Sequence, residues 1–170
     1  MFYVDDYLIK YESDCSWDKA LMYLEDLFTK QPNVKVLNAL IGFSWYYLTE
    51  GPVISRQYEN DENILALGFW KKYLSIGLAQ YKDLPEFCFI AGYTLILDGF
   101  YIDKQSKDIG LDLLKTAANT TDPNLAQLTF SIIELERHND YQPLNVNAKV
   151  LDTLFSHGSL LENYFKELFS

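Results

Sequence analysis

The sequence predicts an all-α protein made of stacked antiparallel helical hairpins, with a C-terminal pair of helices that covers the stack. The first observation is the period of the apolar residues, which is helical throughout and predicts no strands. The second is a recurring unit of apolar helix, proline-marked turn, apolar helix and glycine, whose clearest copy occupies residues 108–137. Helical hairpins that recur in this way bury a shared core by stacking on one another.

Length and composition fit one helical domain over residues 1–170. The chain has 170 residues, of which 49% are apolar, so a core of ordinary size is available. Proline and glycine positions place the hairpins at about 17–50, 62–99 and 108–137, followed by a terminal pair over 144–169.

Apolar stripes predict the first three helices. The N-terminal segment places four side chains on one face: Val4, Tyr7, Leu8 and Tyr11. The next helix starts near Ser16 and carries an i, i+3, i+4 stripe: Trp17, Ala20, Leu21, Leu24, Leu27 and Phe28. Pro32 opens the third helix, which is apolar nearly all round because Ala39, Phe43 and Trp45 lie off its stripe. A helix of this composition is usually buried between neighbours.

A long connection over residues 51–63, polar and acidic at its end, precedes the fourth helix. Asp83 and Glu86 then form a capping-box pattern around Pro85, so a fifth helix is expected to begin there and to run to Gly99. Gly51 and Gly99 each follow an acidic residue, as at helix ends that are closed by a left-handed residue.

Capping residues also predict the last four helices. Asp108 is expected to be the N-cap of the sixth helix, and Asp122 is expected to cap the seventh, with Pro123 opening it. In the tail, Gly158 ends one helix, and Ser159 with Glu162 forms a second capping box that starts the final helix.

The best copy of the recurring unit combines small residues, glycines and proline. Its positions are Ala91-Gly92-Tyr93, Gly99, Asp108, Leu113-Leu114-Lys115, Ala117-Ala118, Asp122-Pro123 and Ala126. In this pattern the chain resembles the tetratricopeptide-like superfamily of αα-hairpin repeats, loosely over residues 17–137 and well over 85–130. It departs from that family in its long first connection and in the bulky Phe87 and Phe89, where small residues would be expected. The resemblance implies a binding scaffold and does not identify a ligand.

The chain is acidic, with a net charge of −10 from 24 Asp and Glu against 14 Lys and Arg. This charge disfavours binding to nucleic acid and to anionic membranes, and it speeds association with a basic partner. Plain solubility is the alternative explanation. Asp5 and Asp6 stand where a signal peptide would be basic, and no apolar run reaches membrane-spanning length. Cys15 and Cys88 belong to no CxxC motif, so we expect a cytoplasmic protein with reduced thiols.

The sequence contains no catalytic constellation, so we expect a protein that is not an enzyme and that uses no cofactor. His138 and His157 are the only histidines, and neither has a second candidate ligand at helical spacing, so no metal site is predicted. Cys88 lies among apolar residues and is expected to be a buried thiol. Glycines occur singly, without the pattern of a phosphate-binding loop.

Small size, acidity, 13 tyrosines and the absence of a catalytic pattern favour a protein-binding function. The specific hypothesis is a bacterial immunity protein or antitoxin that neutralises a basic toxin, such as a nuclease, through an acidic and aromatic surface. Some immunity proteins of contact-dependent inhibition systems resemble this chain in size and charge. The predicted partner-binding residues are Asp18, Glu25, Asp26, Tyr46, Tyr47, Tyr58, Glu59, Asp61 and Glu62. For each of them the alternative is an ordinary solvated residue.

The main alternative function is that of a secretion chaperone or adaptor, which would hold an apolar peptide in the groove of the hairpins. Small acidic tetratricopeptide-like chaperones resemble this chain in length and isoelectric point. Salt distinguishes the two functions, because capture of a basic toxin weakens steeply with ionic strength and binding of an apolar segment does not.

Overall fold

The structure, a computed structural model, describes residues 1–49, 61–138 and 146–170. These residues form nine α-helices and a short 3-10 helix at Gly99–Tyr101, and none of them lies in a β-strand. The helices are α1 (Asp6–Ser13), α2 (Trp17–Lys30), α3 (Val34–Thr49), α4 (Asp61–Gln80), α5 (Pro85–Asp98), α6 (Ser106–Ala118), α7 (Pro123–His138), α8 (Ala148–Leu154) and α9 (Leu160–Phe169). The predicted all-α class is confirmed.

Helix α3 lies at the centre of the stack. It pairs with α2 in one hairpin, and its other sides contact α4 and α5. Every residue from Val36 to Trp45 is buried, so the prediction of a helix enclosed by its neighbours is confirmed. The polar Asn38 among them donates from its side-chain amide to the carbonyl of Glu86 at 3.1 Å, which links α3 to the first turn of α5.

Helices α5 and α6 approach until their backbones are in contact. A Cβ atom added at Gly92 would lie 2.9 Å from the carbonyl oxygen of Gly110, and one added at Gly110 would lie 2.9 Å from that of Gly92. Real Cβ atoms do not come so close to a backbone oxygen, so both positions need glycine. The other side of α6 packs against α7, which continues the stack.

The bulky Phe87 of α5 fits against α4 because the facing residue there is a glycine. A Cβ atom added at Gly77 would overlap the ring of Phe87, which is fully buried. The large residue that departs from the small-residue pattern of the repeat therefore fills the space that a glycine on the neighbouring helix leaves open.

The C-terminal pair lies across the second helices of the hairpins. Helix α8 contacts α7, and α9 contacts α3. The ring centroid of Phe165 in α9 lies 5.9 Å from that of Trp45 in α3 and 5.5 Å from that of Tyr93 in α5. A covering pair was predicted for the open end of the stack. The structure places it over the broad side that α3, α5 and α7 form, because the buried aromatic residues of α9 face that side.

Two of the predicted helix starts are confirmed in their hydrogen bonds. The Asp122 carboxylate accepts from the N–H of Asn124 at 2.9 Å, as the N-cap of α7. The hydroxyl oxygen of Ser159 accepts from the N–H of Glu162 at 3.1 Å, at the start of α9. Gly158 precedes this cap with φ +75°, which is left-handed backbone that favours glycine.

Asp83 and Asp108 do not cap helices, contrary to the prediction. The N-cap of α5 is Leu84, because the residue directly before Pro85 is held extended and the helix begins at the proline. Asp108 lies in the first turn of α6, because the preceding turn is organised earlier by Asp103, whose carboxylate accepts from the N–H of Gln105 at 2.8 Å.

Gly99 does not close α5 in a left-handed conformation, which is a further correction. Its φ is −57°, and the chain continues into the 3-10 helix. Glycine is needed there for space, because a Cβ atom would lie 2.6 Å from the Cβ of Ser106. Gly51, the other predicted closing glycine, lies outside the described residues.

Candidate functional site

Tyrosines and carboxylates meet on the outer side of α1 and α2. Four tyrosines of these two helices and of the segment before α1 gather around Asp5. We group with them the exposed residues on the outward stripe of α2, whose side chains leave the helix about 60° to 140° around its axis from Tyr23. We call this surface the tyrosine–acid face. Its members are Tyr3, Asp5, Tyr7, Tyr11, Asp18, Met22, Tyr23 and Asp26.

Asp5 holds the tyrosine–acid face together. It is the N-cap of α1, where its carboxylate accepts from the N–H of Leu8 at 2.9 Å. The same carboxylate accepts from the hydroxyl of Tyr3 at 2.8 Å and from the hydroxyl of Tyr23. Because Tyr23 belongs to α2, this one side chain ties the start of α1 to the neighbouring helix.

The hydrogen bonds fix the charge of this cluster. Burial alone would raise the pKa of Asp5, but the hydrogen bonds from Tyr23, from the N–H of Leu8 and from Tyr3 stabilise the charged form and hold the pKa below its usual value. Burial and the contact with Asp5 raise the pKa of Tyr23. The face therefore keeps a negative charge at neutral pH, beneath phenols that keep their protons.

Helix α2 supplies the most accessible part of the face. Asp18, Met22 and Asp26 follow the spacing i, i+4, i+8 and point away from the buried stripe of the helix. Met22 is 56% exposed and Tyr7 is 65% exposed, and the Tyr7 ring lies 5.9 Å from that of Tyr23. Exposed carboxylates thus alternate with large apolar side chains.

The three predicted acids of α2 have different surroundings. Asp18 is exposed, and Asp26 is exposed beside Lys30, whose Nζ lies 2.6 Å from its carboxylate. Glu25 faces α4 instead, where its carboxylate accepts from Lys72 at 2.6 Å and from the Tyr73 hydroxyl at 2.8 Å. The bond from Lys72, with help from that of Tyr73, lowers the pKa of Glu25 against the opposing effect of burial. Of the three predicted acids, Asp18 and Asp26 therefore belong to the tyrosine–acid face. Glu25 instead connects α2 to α4 through its hydrogen bonds.

The predicted Tyr46 and Tyr47 lie away from the tyrosine–acid face. Tyr47 is only 8% exposed and stacks on Trp17, with 5.9 Å between the ring centroids, so it is a core residue. Tyr46 is half-buried, and its ring lies 4.9 Å from that of Tyr164 in α9. Trp45, expected between helices, is buried, and its indole N–H donates to Asp98 at 2.8 Å.

Four predicted residues belong to the acidic connection before α4. Tyr58 and Glu59 lie outside the described residues. Asp61 and Glu62 begin α4, two residues before the predicted end of the connection, and their side chains also lie outside the described part of the chain.

Sequence reasoning missed Asp5, Tyr7 and Tyr23 as members of a surface. Tyr7 was grouped with Leu8 on the apolar face of α1, yet Leu8 is buried and Tyr7 is the most exposed of the aromatic residues on α1 and α2. The spacing of Tyr7 and Tyr11 carried the signal, because residues at i and i+4 share a helix face. The partner of that pair, Tyr23, is remote in sequence and could not be assigned without the fold.

A second accessible surface is an apolar groove between α4 and α6, with a volume of about 200 Å³. Its apolar lining consists of Leu74, Leu78, Leu95, Ile102 and Ile109. Lys71 and Asp103 stand at its rim, and Phe100, two residues before Ile102, is 69% exposed. This groove lies on the side of the stack that α8 and α9 leave uncovered.

The described residues contain no group of three or more His, Cys, Asp or Glu side chains arranged to hold a metal ion. Cys88 is buried, as predicted, and burial raises the pKa of its thiol to about 11, so the thiol keeps its proton. His157 lies at the surface before α9, with Nδ1 3.2 Å from the Glu162 carboxylate. The side chain of His138 is outside the described part.

In the described part of the chain, no helix has both the length and the apolar character needed to cross a membrane. Comparison of the chain with family models, with curated proteins and with solved structures gives no match to any of the three. A proposal for the function of the chain therefore depends on the geometry of its own residues.

Proposed function

We propose that this protein binds a basic protein, and that it serves as a cytoplasmic immunity protein or antitoxin that neutralises a basic toxin such as a nuclease. One observation carries the proposal. The tyrosine–acid face exposes Tyr7 on α1, and on α2 it exposes Met22 between the carboxylates of Asp18 and Asp26, in a protein whose net charge is −10.

The composition of this face suits a protein interface. Tyrosine and methionine are enriched at the centres of interfaces, and the rigid ring of tyrosine supplies a large contact area at a small cost in conformational entropy. The surrounding acids would pair with lysine and arginine of a positively charged cleft. The net negative charge would speed the encounter, as it does in complexes of nucleases with acidic inhibitors.

The test begins with capture from the source organism. The tagged full chain is used to purify partners at an ionic strength of about 0.01 M, and bound proteins are released at about 1 M, where the Debye length shrinks from ~30 Å to ~3 Å. A basic protein that is released by salt is then co-expressed with the chain, and survival of the cells measures neutralisation. If no basic protein is captured at low salt, the proposal is wrong.

Paired variants connect this function to the face. Asp18→Asn with Asp26→Asn changes the net charge by two and should slow association with the captured protein about tenfold at low salt. Asp83→Asn with Asp108→Asn makes the same change at exposed carboxylates outside the face. Equal slowing by both pairs would assign the effect to overall charge and would contradict a role for the face.

The α4–α6 groove favours a second candidate function, that of a chaperone or adaptor for an apolar peptide. A groove lined by Leu74, Leu78 and Ile109 would accept the apolar side of a helical or extended segment. Binding there should persist at high salt and should fail in a Leu78→Asp variant. The αα-hairpin scaffold implied by the resemblance to tetratricopeptide-like repeats suits either function and remains part of the proposal.

A further inference from the structure

A polar pocket of about 470 Å³ opens between α1, α3 and the start of α9, on the other side of α1 from Tyr7. Its volume lies within the usual range of ligand sites, ~300–1,000 Å³. Its lining residues are Ile9, Glu12, Ser13, Tyr46, Gly158, Leu160, Asn163, Tyr164 and Glu167. Tyr46 is one of the residues predicted from the sequence to contact a partner.

Among the described residues, the lining of this pocket has two carboxylates and no basic side chain. Glu12 is buried, with 3% of its surface exposed, whereas Glu167 is exposed at the pocket edge. Burial raises the pKa of Glu12, against the hydrogen bonds from the N–H groups of Leu160 and Leu161, because the buried charge is poorly solvated. A cation that entered the pocket would stabilise that charge.

The positive end of α9 does not neutralise this pocket. The N–H groups of Leu160 and Leu161 donate to Glu12 at 2.9 and 3.4 Å. Those of His157 and Gly158 donate to Glu162 at 2.7 and 3.0 Å. The free N–H groups of a helix start amount to about half an elementary charge. Glu12 accepts from two of these N–H groups, so the start of α9 has few donors left for an anion.

Two aromatic rings complete the pocket. Tyr46 of α3 and Tyr164 of α9 both line it, with their ring centroids 4.9 Å apart and their planes at 70°. Aromatic faces attract cations, and a guanidinium group stacks on them better than an ammonium group because it is planar and weakly hydrated. Carboxylates bind the same group through paired hydrogen bonds.

We infer that this pocket binds a guanidinium group, presented by an arginine side chain of a basic protein partner. The inference rests on the proposed function for the source of the arginine, and on the pocket itself for the chemistry. It adds a second contact to the tyrosine–acid face, on the opposite side of α1, so that a partner would hold α1 from both sides.

The test is a titration of the full chain with N-acetyl-arginine-methylamide, followed by the amide NMR signals of Leu160, Asn163 and Tyr164. We expect saturable shifts at these positions and none with the citrulline analogue, which has the same shape without the charge. Glu167→Gln should weaken binding about threefold, because one exposed carboxylate is lost. Asp108→Asn, an exposed carboxylate of α6, should have no effect.

Three results would overturn the inference: shifts that do not saturate, equal binding of the citrulline analogue, or no change in Glu167→Gln. Glu12 also holds the start of α9. The Glu12→Gln variant therefore enters the arginine titration only if its circular dichroism matches that of the wild type. Butylguanidine, which carries the same single charge as the capped arginine, tests the source of the group. If it binds more tightly than the capped arginine, the site takes a free small molecule and the protein source is wrong.

The two proposals fail in distinguishable ways. If capped arginine binds but no basic protein is captured at low salt, the pocket stands and the proposed function is wrong. If a basic protein is captured through the tyrosine–acid face and the arginine titration shows nothing, the function stands and the pocket inference is wrong.

Discussion

The carboxylate of Asp5 receives hydrogen bonds from a backbone N–H and from two tyrosines, and so it orders a surface that belongs to two helices. Hydrogen bonds to a charged acceptor contribute more to stability than neutral ones. The tyrosine–acid face should therefore keep one conformation before any partner arrives, which lowers the entropy cost of binding.

Removal of the Tyr23 hydroxyl tests this order. Tyr23→Phe keeps the ring but removes a donor to Asp5, and it should lower the free energy of unfolding by about 1–2 kcal/mol. Urea denaturation followed by circular dichroism measures the change. Tyr11→Phe is the matched control, because its ring packs against Tyr23 at 5.9 Å and the Asp5 hydrogen bonds do not involve it. Equal losses in both variants would contradict the role of the Asp5 contact.

The lowered pKa of Glu25 predicts that the stability of the folded protein depends on pH. Its pKa is lowered in the folded protein by the hydrogen bond from Lys72 and by that from Tyr73. The stabilisation it provides is therefore complete above the ordinary pKa of glutamate and is lost as the pH falls through the lowered folded value. Glu25→Gln should be less stable than the wild type at pH 7, and the difference should shrink as the pH falls below the ordinary pKa of glutamate and through the lowered folded value.

Unfolding in urea at several pH values measures this difference. Asp26→Asn is the control, because its ion pair with Lys30 lies within one helix and both side chains are more than half exposed. If the difference in unfolding free energy between the wild type and Glu25→Gln stays constant from pH 7 to pH 3, the pH dependence does not come from Glu25.

Individual residues were predictable where a short stretch of sequence decides their role. The caps at Asp122 and Ser159 depend on residues within one helical turn, and both are confirmed. The predicted capping box differs in its second bond, because the Glu162 carboxylate accepts from the N–H groups of His157 and Gly158. The burial of Tyr47 and the engagement of Glu25 by Lys72 depend on which helices meet, so the sequence could not provide them. The fold decides which of the predicted acids and tyrosines share a surface.

At the scale of the helices, the contact of α5 with α6 depends on two glycines. Gly92→Ala and Gly110→Ala each place a Cβ atom about 2.9 Å from a backbone oxygen, so the helices must separate. We expect each variant to lose about 1–3 kcal/mol of unfolding free energy, as in other overpacked cores. Thermal or urea unfolding measures the loss.

Gly68 of α4 provides the matched control for these two variants. A Cβ atom there would meet nothing within 4 Å. Because alanine favours helix over glycine by ~1 kcal/mol, Gly68→Ala should leave stability unchanged or raise it. A destabilised Gly68→Ala, or unchanged Gly92→Ala and Gly110→Ala variants, would contradict the close contact of α5 and α6.

Helix positions were predictable from the sequence because apolar spacing and prolines act within each element. The start of α5 at Pro85 and the burial of α3 on all sides follow from such local patterns. The start of α6 was not predictable in the same way, because Asp103 forms its turn from outside the recurring unit. The sequence also did not show why glycine is needed at position 99. The side chain that leaves no room for a Cβ atom there is Ser106, which belongs to the next helix.

At the scale of the whole molecule, α9 joins the hairpins through an aromatic cluster around Phe165. This side chain is fully buried against Phe2, Trp45, Tyr93, Phe155 and Phe169. Phe165→Ala should cost about 3–5 kcal/mol, a large share of the stability of an ordinary domain. Leu168→Ala, on the same helix and 37% exposed, should cost less than about 1 kcal/mol.

Denaturation with urea, followed by near-UV circular dichroism of the buried aromatic rings, measures both variants. If Phe165→Ala unfolds at the same urea concentration as Leu168→Ala, the cluster does not hold the stack together. The all-α class and the presence of a covering pair were predictable from periodicity. The face that the pair covers was not, because it depends on the contact between α9 and α3, which lies more than a hundred positions earlier in the sequence.

The bond between Glu12 and the N–H of Leu160 joins residues 148 positions apart. During synthesis, a ribosome that has released the chain only as far as α7 has therefore produced three hairpins whose aromatic side is still bare. Phe2, Trp45 and Tyr93 would face solvent until the last two helices emerge, so we expect the nascent chain to be a substrate for general chaperones at that moment. Because contacts so remote in sequence close a long loop, we expect them to slow folding.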